Sequence, residues 1–170
     1  MKRFIQLFLF TFMLGAISQA AEHPDLTFKD LNGKTIQAKG ATNGLELPGL
    51  EGKIVFIEFF GHRCPPCIAS IPHLIDLQKK HQDKLAIVAI EVQGMSESKL
   101  KSFVSEKGIN YTVTTESNAR KLTSYIAARA DWKGSIPFMV ALDTKGDVQF
   151  VQAGMIPEEY FEGLIKELSK

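Results

Sequence analysis

The sequence contains few cysteines and histidines and has almost no net charge, and each of these features argues against a class of protein. Cysteine occurs only twice, at Cys64 and Cys67, so no cysteine stands near residue 20 to carry a lipid. Lys and Arg number 20 against 19 Asp and Glu, and this balance gives no electrostatic reason to expect nucleic acid as a partner. The 4 histidines are scattered along the chain, which argues against a metal site.

The first 20 residues are typical of a secretory signal peptide. Met1-Lys2-Arg3 precede an apolar stretch over residues 4–17, and Ser18-Gln19-Ala20 places small residues at the two positions that a signal peptidase recognises. An uncleaved membrane anchor is the alternative, although the apolar stretch is short for a membrane span. We therefore expect a signal peptide over residues 1–20 and one domain over residues 21–170, exported to the periplasm or a similar compartment.

The order of predicted strands and helices indicates an α/β fold with a mixed sheet. Asn32-Gly33 separates two alternating stretches and predicts an opening β-hairpin. Residues 39–52 contain Pro48 and several glycines, so we predict a loop there. Strands are then expected over 53–60, 84–92, 110–114, 138–142 and 148–152, and helices over 65–82, 97–107, 118–130 and from Pro157 onward.

The Cys64-Pro65-Pro66-Cys67 motif stands where the buried strand over residues 53–60 turns into a helix. Gly61 ends the strand, and two prolines fit the first helical turn, where a missing N–H costs nothing. Unpaired amides and the positive end of the helix dipole lower the pKa of a thiol placed at the cap. We therefore predict that Cys64 is a nucleophile and that Cys67, one turn further in, is the resolving thiol. A static disulfide, or a zinc or copper site made by the two thiols, remains an alternative.

With these features the sequence resembles the thioredoxin superfamily, most closely the exported TlpA/ResA-like thiol-disulfide oxidoreductases. The resemblance covers about residues 25–168 and rests on an ordered set of features. These are the opening hairpin, Ile57-Glu58-Phe59-Phe60, the Cys-Pro-Pro-Cys motif, Pro72 within the next helix, Ile136-Pro137, and the turn over Asp143 to Gly146. The resemblance implies a thioredoxin-like fold, in which a mixed β-sheet carries helices on both faces and follows an N-terminal β-hairpin.

The resemblance also implies roles for single residues. Ile136-Pro137 matches the family's cis-proline loop, which lies against the active-site disulfide, so Ile136 and Pro137 would hold a segment of the substrate. Glu58 lies six residues before Cys64 and matches a buried acid beneath the second cysteine. Its apolar neighbours should raise its pKa by desolvation, so that it can accept a proton from Cys67 near neutral pH.

The sequence departs from the family pattern just before the motif, where His62 and Arg63 stand in place of the usual aromatic residue. Positive charge beside Cys64 should favour its thiolate and so stabilise the dithiol form. A more stable dithiol makes the couple more oxidising. This departure counts against a reductant, whereas the family includes the reductases of cytochrome c maturation.

The sequence therefore predicts an exported thiol-disulfide oxidoreductase that exchanges its disulfide with protein substrates, as a reductant and with apocytochrome c thiols as the implied target. We expect a monomer that needs no cofactor or metal and receives electrons from a membrane-borne thiol donor. One alternative is a DsbA-like oxidase or isomerase, although the stretch between Cys67 and Pro137 is too short for the helical insertion of those enzymes. The other is a non-enzymatic copper-binding delivery module.

Overall fold

The computed structural model describes residues 23–169. The predicted signal peptide, and the anchor considered as its alternative, lie outside the described residues. Within this part of the chain, no helix has both the length and the apolar character needed to cross a membrane.

Two short antiparallel strand pairs open the described fold. The first joins β1 (Phe28–Lys29) to β2 (Thr35–Ile36), which confirms the predicted hairpin. The second joins β3 (Lys39–Gly40) to β4 (Leu45–Glu46), so the prediction of a loop over residues 39–52 is wrong in part.

A close backbone contact explains one of the glycines that suggested a loop. A Cβ on Gly44 would overlap the carbonyl oxygen of Gly146, and the amide of Leu45 donates to that same carbonyl at 2.9 Å. Gly44 therefore allows β4 to approach a distant turn of the chain, and its small size serves packing.

The main sheet has five strands in the order β7-β6-β5-β8-β9. Its central strand is β5 (Ile54–Phe60), which pairs in parallel with β6 (Leu85–Glu91) and antiparallel with β8 (Phe138–Leu142). The edges are β7 (Thr112–Thr115), parallel to β6, and β9 (Val148–Ala153), antiparallel to β8. This arrangement confirms the predicted mixed sheet.

Four helices cover the two faces of the sheet: α1 (Pro65–Lys80), α2 (Glu97–Lys107), α3 (Arg120–Arg129) and α4 (Glu158–Leu168). All four lie where helical periodicity predicted them. Ser96 occupies the N-cap position of α2 but its side chain makes no capping hydrogen bond.

The alternation of side chains along β5 divides the core into two main layers. Val55, Ile57 and Phe59 pack on the face that α3 and the opening strands cover. Ile54 and Phe56 pack on the opposite face, beneath α1 and α4. Glu58 follows this alternation, which places a carboxyl group among apolar residues on the α1 side of the sheet.

Candidate active site

Cys64 forms the N-cap of α1, directly after the central strand. Its backbone is extended, with φ −102° and ψ 103°, and the amide of Cys67 points at its sulfur with an N···Sγ distance of 3.3 Å. Pro65 and Pro66 occupy the first two helical positions, as predicted. An N–H directed at a sulfur at a helix N-terminus favours the thiolate of that sulfur once the disulfide is reduced.

The two cysteines form a disulfide, with their Cα atoms 5.2 Å apart. Cys64 keeps 7% of its surface exposed, whereas Cys67 keeps 1%. The first cysteine is therefore the more accessible residue of the two, which is the order that a nucleophile and a resolving thiol require.

The loop that ends at Pro137 lies against this disulfide. The Ile136–Pro137 peptide bond is cis, the isomer that the resemblance implies, and the Ile136 carbonyl oxygen lies 3.8 Å from Cys64 Sγ. On the other side of the proline, the Gly154 amide donates to the Pro137 carbonyl at 2.8 Å. The predicted substrate-holding residues and the reacting sulfur thus meet at one place.

Trp132 fixes the other end of this loop. Its ring packs edge-on against Phe59, at 4.8 Å between centroids, and lies 6.1 Å from Phe138. Its indole Nε1–H donates to the Ser135 carbonyl at 2.7 Å. A partly buried side chain that packs against the core therefore holds the main chain one residue before Ile136. Sequence periodicity alone cannot reveal this contact.

Glu58 is buried on the α1 side of the sheet, with 3% of its surface exposed. Burial raises the pKa of Glu58 to about 8, and the side chain of Ser70 opposes that rise. The Ser70 hydroxyl donates to the Cys67 carbonyl at 2.8 Å, so Ser70 lies between the acid and the turn that carries the second cysteine. Glu58, Ser70 and Pro137 also line one cavity of about 10 Å³, close to the smallest volume that holds a water.

His62 does not stand alone beside the motif, because its ring meets a second buried acid. Nδ1 of His62 lies 2.8 Å from Oε1 of Glu91, and Glu91 is fully buried at the end of β6. Sequence reasoning missed Glu91 as a site residue. The one signal was a charged residue at the end of an otherwise apolar strand.

Arg63 is exposed, and the part of the chain that the structure describes offers its side chain no ion pair. Its backbone amide donates to Oε1 of Gln93 at 2.9 Å. The influence of Arg63 and His62 on the Cys64 thiol stays a prediction. Across residues 23–169, we find no group of three or more His, Cys, Asp or Glu side chains arranged to hold a metal ion.

Comparison with known proteins agrees with this geometry. The family model described as AhpC/TSA family matches residues 20–151. The chain is 28% identical over 149 residues to the thiol-disulfide oxidoreductase ResA of Bacillus thuringiensis (strain Al Hakam), an alignment that covers 87% of this chain and 77% of the relative.

Two solved structures show the same thioredoxin-like fold. One is a thiol:disulfide interchange protein of the thioredoxin family from Chlorobium tepidum TLS, with a TM-score of 0.69 and 24% identity over 88% of this chain and 96% of that one. The other is a secreted thiol-disulfide isomerase from Corynebacterium glutamicum, with a TM-score of 0.69 and 17% identity over 86% of this chain and 84% of that one.

Proposed function

Because this chain belongs to the AhpC/TSA family and is a thiol-disulfide oxidoreductase, we propose that it reduces protein disulfides outside the cytosol. One observation carries the proposal. The Cys64 sulfur sits at the cap of α1, faces the Cys67 amide at 3.3 Å and lies 3.8 Å from the Ile136 carbonyl. A reacting thiol and a main-chain docking edge are thus side by side.

The first step is nucleophilic attack by the Cys64 thiolate of the reduced protein. It attacks one sulfur of the substrate disulfide, and the other substrate sulfur leaves as a thiolate and takes up a proton. A mixed disulfide now joins Cys64 to the substrate. The Cys67 amide supports this step because its N–H is directed at the sulfur that carries the negative charge.

The second step releases the substrate. The Cys67 thiolate attacks Cys64 Sγ, the mixed disulfide breaks, and the second substrate sulfur leaves as a thiol after protonation. Glu58 accepts the Cys67 proton in this step, since a carboxyl group with a pKa of about 8 exchanges protons readily near neutral pH. The protein ends as the disulfide and the substrate as two thiols.

The substrate segment is held by the main chain at Ile136 and Pro137. An extended peptide can pair with backbone groups at such a loop, as in other cases of strand addition. The Trp132 and Gly154 hydrogen bonds hold this loop on either side of the pair, so the docking edge is fixed before the substrate arrives.

Export and the source of electrons belong to the same proposal. The predicted signal peptide over residues 1–20 supports export. The structurally similar isomerase from Corynebacterium glutamicum is described as secreted. Outside the cytosol a dithiol becomes oxidised unless a donor reduces it. We therefore include a membrane-borne thiol donor, with the thiols of an apocytochrome c as the target.

Trapping in cells tests the reaction. Cys67→Ala removes the resolving thiol, so we expect substrates to stay bound to Cys64 as mixed disulfides that reductant releases and mass spectrometry identifies. Cys64→Ser is the matched control, because serine also caps a helix but forms no disulfide. Purified wild-type protein that leaves insulin disulfides intact, together with an empty trap, would refute the proposed function.

The midpoint potential decides the direction of transfer. Equilibration with glutathione should place the couple near thioredoxin, at about −270 mV, if the protein is a reductant. The second candidate, an oxidase or isomerase, is favoured by Arg63 directly before Cys64 and by the His62 ring in the same segment. A midpoint near that of DsbA, at about −120 mV, would establish the oxidase instead.

A further inference from the structure

The segment that delivers Cys64 to the helix is held by side chains from the neighbouring strand. Residues 61–63 connect β5 to α1, and residues 91–95 leave the end of β6 beside them. Two side chains of that second segment, Glu91 and Gln93, form hydrogen bonds to the first. We name this pair of side chains the Glu91–Gln93 clasp.

Glu91 is the buried part of the clasp. Its side chain has no exposed surface, yet it accepts hydrogen bonds from the Gln93 amide at 3.0 Å and the Met95 amide at 2.8 Å, besides the His62 contact at 2.8 Å. Burial of a carboxylate is costly unless such partners surround it. The cost is offset only while His62 and the 93–95 main chain keep their present positions.

Gln93 holds the backbone of the same segment. Its Oε1 accepts the Arg63 amide at 2.9 Å. A Cβ on Gly61 would overlap the Gln93 side chain, so glycine at this position makes room for the clasp. Each residue of this segment therefore lies against the clasp: Gly61 and Arg63 against Gln93, and His62 against Glu91.

The clasp acts on the reacting sulfur through the main chain. The Cys64 amide donates to the Gly61 carbonyl at 3.2 Å, so the held segment closes a turn that ends at the nucleophile. The backbone angles of Cys64 in turn aim its sulfur at the Cys67 amide and the Ile136 carbonyl. A residue at an N-cap can accept the helix amides only from an extended backbone.

We propose that Glu91 and Gln93 are positioning residues of the oxidoreductase, which fix residues 61–63 so that Cys64 Sγ keeps its contact with the Cys67 amide. This inference rests on the proposed function, because it assigns the clasp to the nucleophile of that reaction. Loss of the clasp frees the cap, weakens the support of the Cys64 thiolate and makes the couple less oxidising.

Alkylation of Cys64 in the Cys67→Ala background measures this positioning directly. Glu91→Gln keeps the shape of the side chain but replaces one acceptor oxygen by a donor, so it cannot satisfy all three partners. We expect it to slow alkylation at pH 7 about tenfold and Gln93→Ala about threefold, the range for loss of one or two hydrogen bonds. Glu97→Gln is the matched control, since Glu97 lies exposed at the start of α2 and its partners, Lys101 and Asn118, are outside residues 61–63.

Two further measurements separate positioning from a general loss of stability. The midpoint potential of Glu91→Gln with both cysteines present should fall by about 30 mV, which corresponds to a tenfold change in the equilibrium between dithiol and disulfide. His62→Ala should reproduce part of the effect, and Glu91→Gln added to His62→Ala should change the rate less than it does alone.

The results distinguish this inference from the proposed function. Folded Glu91→Gln and Gln93→Ala proteins that alkylate at the rate of the Glu97→Gln control would overturn the inference, even if their thermal stability falls. Should Glu91→Gln fail to fold, Gln93→Ala and His62→Ala decide the matter by the same criterion. Wild-type protein without activity on protein disulfides would instead overturn the proposed function.

Discussion

The two ends of α1 use polar side chains in opposite ways. At its first turn the polar groups are buried: Cys64 and Cys67 are almost covered, and Glu58, which shares a small cavity with Ser70 of the helix, has 3% of its surface exposed. At its last turn they are exposed or partly buried, and Lys80 and the partly buried His81 contact Glu162 of α4 at 2.8 and 3.1 Å. The same helix thus has buried polar groups at its first turn and ion pairs near solvent at its last turn.

The two ends of α1 differ in how their polar groups affect the stability of the fold. Exposed ion pairs stabilise a fold by at most about 1 kcal/mol, because water and salt screen them. A buried acid without a cation beside it lowers stability, since its charged form loses solvation. Buried ionisable residues that lower stability in this way are candidates for catalytic residues. The first turn therefore carries the groups proposed for the reaction, and the last turn contacts α4.

The largest expected effect comes from Glu58→Gln at the buried end. It removes the proposed proton acceptor but keeps the shape, so the resolution step at pH 7 should slow by about 10²-fold. The wild-type resolution rate should rise with pH through about 8, as Glu58 loses its proton, and the variant should keep only the rise that comes from ionisation of the Cys67 thiol itself. Stopped-flow measurement of mixed-disulfide decay from pH 6 to 9 tests this, and an unchanged profile would exclude Glu58 as the acceptor.

The Glu58→Gln substitution should also change how the free energy of unfolding depends on pH. The pKa of Glu58 is raised from 4.5 to about 8 in the folded protein, so the folded state binds more protons than the unfolded state between these values. Stability contributed by Glu58 is therefore present at low pH and lost as pH rises from 4.5 through 8. Denaturant unfolding of reduced Glu58→Gln should show a weaker loss over that range.

A smaller effect is expected from Trp132→Phe, which changes the loop that ends at Pro137. Phenylalanine keeps an aromatic ring against Phe59 and Phe138 but removes the hydrogen bond to the Ser135 carbonyl. We expect KM for a peptide disulfide to rise about threefold to tenfold, the effect of one hydrogen bond, with kcat nearly unchanged. A fall in kcat at constant KM would place Trp132 in the chemical step instead.

The smallest effect is expected at the exposed end. Glu162→Gln removes the partner of Lys80 and His81, whose hydrogen bonds lower the pKa of Glu162. Its contribution is present above the ordinary carboxyl pKa and lost as pH falls, so unfolding at pH 7 should be easier by less than about 1 kcal/mol. Disulfide exchange should proceed at the wild-type rate. A loss of activity would break the distinction between the two ends.

The sequence was enough to predict most elements, because apolar spacing determines them. Strand β5 and helix α1 follow from their apolar patterns and from Gly61 and the prolines between them. The β3–β4 pair was missed because Gly44 was interpreted as a loop residue, whereas it permits contact with Gly146, about a hundred positions away. No local pattern predicts such a contact.

The site shows the same division between local and distant information. The Cys-Pro-Pro-Cys motif identifies the two cysteines, and the resemblance to a family identifies Glu58 and Pro137 as candidates. Glu91 has only a weak signal, its place at the end of an apolar strand, because a glutamate there is usually solvated. The contacts of Glu91 and Gln93 with residues 61–63 come from the parallel pairing of β5 with β6, which brings both strand ends together.

The order of strands also constrains how the chain reaches this structure during synthesis. The central strand β5 pairs on one side with β6, which follows within about thirty residues, but its other partner, β8, begins only at Phe138. A nascent chain that has emerged as far as α3 therefore exposes an open strand edge made of Ile57, Phe59 and their neighbours. Such edges can recruit other chains, and this one is covered only when β8, in the last fifth of the chain, has emerged.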